Sequence, residues 1–145
     1  MEFSRQVELA PNGVIDSDFR VYTESVLEAF FLHPKVIIED GAVIGTGTRV
    51  WAFAHILKAA VIGNDCNICD HTFVEGGVRI GSRVTLKCGV YLWDGLVLED
   101  DVFVGPCAAF TNDLRPRSRV HPENHSVTRL RQGMGNSPGS TACFF

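Results

Sequence analysis

The stretch VIIEDG-AVIGTG-TRVWAF-AHILKA-AVIGND-CNICDH-TFVEGG-VRIGSR-VTLKCG-VYLWDG-LVLEDD-VFVGPC-AAFTND, Val36 to Asp113, repeats every six residues with no insertion. Its third place is apolar throughout, from Ile38, Ile44 and Val50 to Leu98, Val104 and Phe110. Its first place is small or apolar, as at Ala42, Thr48, Ala54, Cys66, Val84 and Ala108. The fourth place is often glycine: Gly45, Gly63, Gly81 and Gly105.

A period of six fits neither an isolated helix at 3.6 residues per turn nor a meander of long hairpins. First and third places point the same way, as alternate residues of a strand do. The rest of each hexad must turn a corner, and glycine supplies unusual backbone angles there. Three such short strands close one triangular coil, so residues eighteen apart stack, with coils about 4.8 Å apart and bonded in parallel. Third places fill the prism and first places crowd its corners. The reading is all-β, a parallel β-helix whose coils bury their faces only against one another.

One domain suits 145 residues, and 46% hydrophobic content supports a core. A net charge of -4 without a basic run disfavours nucleic acid as a partner. No apolar run approaches membrane length, and the first residues lack a charged region followed by an apolar one, so a membrane is not expected and the expected location is cytoplasmic. Five cysteines with no export signal read as free thiols. Cys66 and Cys69 form a CxxC that falls on a first and a fourth place; core filling competes with a redox or zinc pair, and no second such pair follows.

Residues 1–33 lie outside the repeat. Asp16 or Ser17 is placed to cap a helix through Phe19, Val21, Val26, Leu27, Phe30 and Phe31, which would plug the open solenoid end. The β-helix is expected over residues 34–113. Residues 114–145 read as a loop and a disordered tail: Pro116 and Pro122 oppose a strand ladder, and QGMGNSPGSTACFF lacks periodicity.

Stacking at eighteen residues decides which polar groups meet. Glu75, Trp93, Asp94, Thr111, Asn112 and Asp113 gather along one corner, offering carboxylates, an amide and an aromatic ring to a polar, ring-shaped ligand such as a sugar. The competing reading is that Asp and Asn occupy corners because they tolerate turn geometry. His55, Phe73 and Tyr91 occupy second places and form an outward aromatic ladder of the kind buried against another subunit; Trp51 and Phe53 extend it. His55 is either interface packing or a general base. His71 lies at a different corner, below Gly89 and Cys107, where glycine leaves room for a ligand. His55, His71 and His125 share no plausible site, so no metal is expected.

Over residues 31–119 the chain resembles the hexapeptide-repeat, left-handed β-helix acyltransferases. VWAFAHI resembles their W-x-F-x-H-I, and LWDG, LEDDVFVGP and FTND are similar to bacterial N-acetyltransferases acting on dTDP-3-amino-3,6-dideoxyhexoses for surface polysaccharide synthesis. The resemblance implies left-handed coils, against the usual right-handed crossover. It also implies a homotrimer with active sites between prisms, acetyl-CoA as donor, and attack by the sugar's amine on the thioester. Asp94, Asn112 and Asp113 would hold the sugar and its amine, and Trp93 would pack on the ligand. A backbone N–H near Gly89, Val90 and Tyr91 would polarise the thioester carbonyl. The base, if one is used, would be His55 or His71.

The C-terminus departs from the resemblance. Relatives resume hexads after the PRS loop, and those coils help bind coenzyme A; here RLRQGMGNSPGSTACFF follows instead. The alternative expectation is therefore a truncated, non-catalytic remnant that trimerises and at most binds nucleotide sugar.

Overall fold

The structure, a computed structural model, describes residues 14–15, 20–23, 26–113, 115–120 and 127–135. Short parallel strands wind into a three-faced solenoid. The first face contains Val26–Leu32, Thr48–Val50, Asn67–Ile68, Thr85–Leu86 and Phe103–Val104, with two further strands at its N-terminal edge. The second face stacks Ile37–Ile38, His55–Ile56, Phe73–Val74 and Tyr91–Leu92; the third stacks Val43–Ile44, Val61–Ile62, Arg79–Ile80, Leu96–Leu98 and Thr128–Leu130.

The expected eighteen-residue register holds: Ile37 pairs with His55, His55 with Phe73, and Phe73 with Tyr91. First and third places point inward. Ala42, Ala54, Val78 and Val90 are buried beside Ile56, Ile68, Leu86 and Leu92, with Ile44 only partly covered. Each coil's apolar surface is thus removed from water by the coils above and below, the main stabilising term in such a stack.

The N-terminal helix is corrected. Arg20–Thr23 and Val26–Leu32 are strands that pair antiparallel, and the second pairs in parallel with Thr48–Val50. Phe30 and Leu32 lie eighteen residues before Thr48 and Val50 and are buried, so FFLHPK is itself a hexad and the solenoid starts before residue 34. A helix would have left the backbone edge of Thr48–Val50 unpaired. The proposed cap residues Asp16 and Ser17 lie outside the described residues.

The other end is corrected too. The phase lost after Asp113 returns: Leu96 pairs with Thr128 and Leu98 with Leu130, and Phe103 bridges to Gly135. Each separation is thirty-two residues, one coil plus a fourteen-residue excursion. Leu130 is buried in a third place. The segment reads as tail in sequence because TRLRQG carries one apolar residue. Residues 136–145 of the expected tail lie outside the described residues.

Corners differ from expectation as well. The left-handed backbone sits at the sixth place, at Gly41, Gly47, Phe53, Ala59, Asp65, His71, Gly77, Arg83, Gly89, Gly95, Asp101 and Cys107. The fourth-place glycines answer a different demand. A Cβ on Gly63 would lie 2.6 Å from the backbone carbon and oxygen of Gly81 in the next coil.

Candidate functional site

The polar column assembles as the stacking requires. Asn112 Nδ2 donates to the Asp94 carbonyl oxygen at 3.0 Å, and the Asp94 N–H donates to Glu75 Oε2 at 2.7 Å. Asp94 Oδ1 accepts from Gly95 N at 2.9 Å, and its carboxylate lies over Gly77, in the space a Cβ would fill. Thr111 Oγ1 donates to the Asp113 carbonyl oxygen, and Asp113 Oδ1 accepts from Arg115 N at 2.8 Å, where the excursion leaves the coil. All six of Glu75, Trp93, Asp94, Thr111, Asn112 and Asp113 are half-buried.

Several of these polar atoms therefore serve the corner itself. Glu75 belongs to a repeated device in which a fourth-place glutamate accepts the fifth-place N–H of the next coil. Glu39 does so with Lys58 at 3.0 Å and Glu99 with Gln132 at 3.0 Å. That contact holds the Glu39 carboxyl below the usual carboxylate range, as Gln132 does for Glu99.

Trp93 has a structural role that its sequence position does not show. Its indole packs against the core, and Nε1 donates to the Phe110 carbonyl oxygen at 3.0 Å. The ring also leans on Phe73 and Tyr91, with centroids 5.5 and 6.3 Å away. Polar corner and aromatic ladder are consequently one continuous surface. Along that ladder His55 meets Phe73 edge-on at 5.6 Å, and Tyr91 is 49% exposed.

His55 has a neighbour that the sequence reading missed. Its Nε2 is shielded from solvent and lies 3.4 Å from Glu39 Oε1, yet makes no hydrogen bond. Counting sixteen residues, from a fourth place to the second place of the next coil, would have found this pair. The same relation joins Trp51 Nε1 to Asn67 Oδ1 at 2.7 Å.

The catalytic set does not converge within one chain. His55 sits two coils from Tyr91, hence about 10 Å along the prism from Asp94. His71 occupies the opposite edge of the second face, stacked on Phe53 at 5.0 Å. Neither reaches the hydrogen-bond distance a base requires of an amine held by Asp94 and Asn112. Of the expected thioester donors, the Gly89 N–H is already given to the Asp70 carbonyl oxygen at 3.1 Å, and the Val90 side chain is buried in the core. Tyr91 remains at the open face.

Of the CxxC, Cys66 is core: buried, with Sγ 3.1 Å from the Gly81 carbonyl oxygen, and burial pushes its thiol up. Among the described residues, no group of three His, Cys, Asp or Glu side chains is placed to hold a metal ion, and no helix is long and apolar enough to cross a membrane.

No family model matches the chain. It is similar to the acyl-[acyl-carrier-protein]–UDP-N-acetylglucosamine O-acyltransferases of Brucella ovis and Brucella melitensis, at 36% identity over 52 residues, 36% of this chain and 19% of the relative. The chain thus spans about a fifth of the length of these curated relatives. Among solved structures it is similar to PerB from Caulobacter crescentus, in complex with CoA and GDP-perosamine (16% identity, TM-score 0.29, 75% of this chain and 49% of that one). The acetyltransferase domain of PglB from Neisseria gonorrhoeae, in complex with acetyl coenzyme A, gives 18% identity, a TM-score of 0.31, and coverage of 74% and 50%.

Proposed function

We propose that the chain is a hexapeptide-repeat acyltransferase, as its similarity to the Brucella acyltransferases supports, and that it transfers an acetyl group from acetyl-CoA to the amine of a nucleotide-linked amino-deoxy sugar. The observation that carries this reading is the Asn112–Asp94–Glu75 stack, which continues through Trp93 into the face of Phe73 and Tyr91. A carboxylate and an amide beside an apolar ring suit a hexose that presents polar edges and an apolar face. The Brucella relatives are named for acyl transfer onto UDP-N-acetylglucosamine, which supports a nucleotide sugar as acceptor. The finer assignment, a dTDP-3-amino-3,6-dideoxyhexose used for surface polysaccharide, rests on LWDG and FTND.

In the proposed reaction the free amine attacks the thioester carbonyl, the carbon–sulfur bond breaks, and coenzyme A leaves as the thiol. Asp94 and Asn112 orient the amine. Because neither His55 nor His71 reaches that corner in the same chain, the amine's proton passes to the departing sulfur or to water. The exposed second face is the proposed packing surface of a homotrimer, and the proposed location is cytoplasmic.

The test is thiol release from acetyl-CoA with dTDP-3-amino-3,6-dideoxyhexoses as acceptors. The reading expects turnover that Asp94→Ala abolishes. Thermal stabilisation by nucleotide sugar, with neither turnover nor a response to coenzyme A, would replace it with the non-catalytic alternative.

A further inference from the structure

Cys69, Cys88 and Cys107 are spaced by nineteen residues and climb one edge of the prism diagonally. Cys69 is half-buried, and Cys88 and Cys107 are exposed. Cys69 at a fourth place and Cys88 at the next coil's fifth place repeat the relation that sets Glu39 on Lys58 and Glu75 on Asp94. The backbone fixes this contact: Cys69 N donates to the Leu86 carbonyl oxygen at 2.9 Å, and Gly89 N to that of Asp70 at 3.1 Å. One coil rise of about 4.8 Å combined with one residue step of about 3.8 Å puts the two Cα atoms roughly 6 Å apart. That lies inside the range a disulfide spans. The catalytic reading uses neither thiol.

We propose that Cys69 and Cys88 are a dithiol modification site, oxidised by a low-molecular-weight disulfide to a bond that staples two adjacent coils beside the aromatic face. Exposed Cys88, as thiolate, attacks one sulfur of the oxidant, forming a mixed disulfide and releasing the first thiolate. Cys69 then loses its proton to solvent and attacks the Cys88 sulfur, expelling the second thiolate. Two protein thiols and one small disulfide become one protein disulfide and two small thiols. Burial, and then the neighbouring Cys88, push the Cys69 thiol up, which suits it to the second, resolving step rather than the first. Cys107 follows on the same diagonal, but at a sixth place, with its Sγ 3.3 Å from where a Gly89 Cβ would stand. It is the control position.

The test is exposure of the full chain to glutathione disulfide, followed by thiol titration and peptide mapping. The expected result is loss of two of the five thiols, a peptide linked through Cys69 and Cys88, and recovery by a dithiol reductant. Cys107→Ser keeps the link. Cys88→Ser abolishes it, and Cys69→Ser stops at a glutathione adduct on Cys88. A link between Cys88 and Cys107, a link between two chains, or glutathione adducts alone in the unsubstituted chain would each overturn the proposal. So would retention of all five thiols. The mapping reads the link directly, so a variant that folds poorly does not decide the result.

Discussion

Gly63→Ala is the substitution that tests the coil spacing most directly. Gly63 has no left-handed backbone, so by conformational entropy alone alanine would stabilise the chain by about 0.4–1 kcal/mol. Its new Cβ, however, would sit 2.6 Å from Gly81 C and O and 2.8 Å from Ser82 N. Ordinary carbon contacts are about 3.5–4.0 Å, so the coils must part by roughly 1 Å at that corner. They are pinned there by Gly63 N to the Ile80 carbonyl oxygen and by Arg83 N to the Asn64 carbonyl oxygen, both 2.8 Å. Backbone cannot rotate aside as a side chain can. Overpacking costs about 1–3 kcal/mol, and a stretched backbone hydrogen bond about 1 kcal/mol more.

The net expectation is a loss of about 2–3 kcal/mol, a fall in melting temperature on the order of 10 °C, read by thermal unfolding followed by circular dichroism. Gly41→Ala is the comparison. Its Cβ would meet only Lys58 Cβ at 3.9 Å, but its φ is +88°, a strain of about 1–2 kcal/mol. Gly63→Ala should be the worse of the two. If it melts with the unsubstituted chain, or if Gly41→Ala is clearly worse, close coil approach is not what requires glycine at the fourth place.

Leu130→Ala should cost about 2 kcal/mol because Leu130 is buried in a resumed coil; denaturant unfolding that shows no change would return the segment to a loop. Glu75→Ala should cost about 1–2 kcal/mol by orphaning the Asp94 N–H, whereas Glu75→Gln, which keeps an acceptor oxygen, should cost less than half of that; equal losses would assign Glu75 a charge role instead. Asp101 is held below the usual carboxylate range by its hydrogen bond to Arg83 and then by Gln132. A depressed carboxylate adds stability above its unfolded value of about 4 and loses it as pH falls through the lower folded value, so Asp101→Asn should flatten the acid limb of a melting-temperature profile.

The periodic positions were legible in sequence because they do one job. Ile56, Leu86 and Leu92 are apolar at a fixed interval, and burial is what the interval encodes. Leu32 and Leu130 do the same job but were missed, one inside a hexad whose second place is Phe31, the other after an excursion that shifts the count by fourteen residues. The left-handed sixth place was missed although Gly41, Gly47, Gly77, Gly89 and Gly95 occupy it, because Phe53, Asp65, Arg83 and Cys107 adopt it too and blur the pattern. Within the site, the Asp94–Asn112 neighbourhood was legible from register. The Glu39–His55 approach was not, since it needs the sideways lean of a side chain as well as the stack.

One geometric consequence constrains the chemistry more than any single residue. The second face is flat and bordered by two unlike edges. One carries Glu39, Glu75, Asp94 and Asn112; the other carries Phe53, His71, Gly89 and Cys107. Residues on one edge approach each other in steps of one coil, about 4.8 Å, whereas residues on opposite edges stay a face apart. A parallel solenoid therefore assembles columns easily and cannot close a pocket around a ligand from within one coil stack. In the proposed function the polar edge holds and orients the acceptor, since Asp94 and Asn112 are adjacent in the column. It cannot also supply a base from His71, which no local rearrangement moves to the other edge. In the proposed acetyl transfer, a single chain would contribute by orienting an already nucleophilic amine, which effective-concentration gains can accelerate without proton abstraction. An amine acceptor suits that constraint, and a sugar hydroxyl, which needs a base at the same corner, does not.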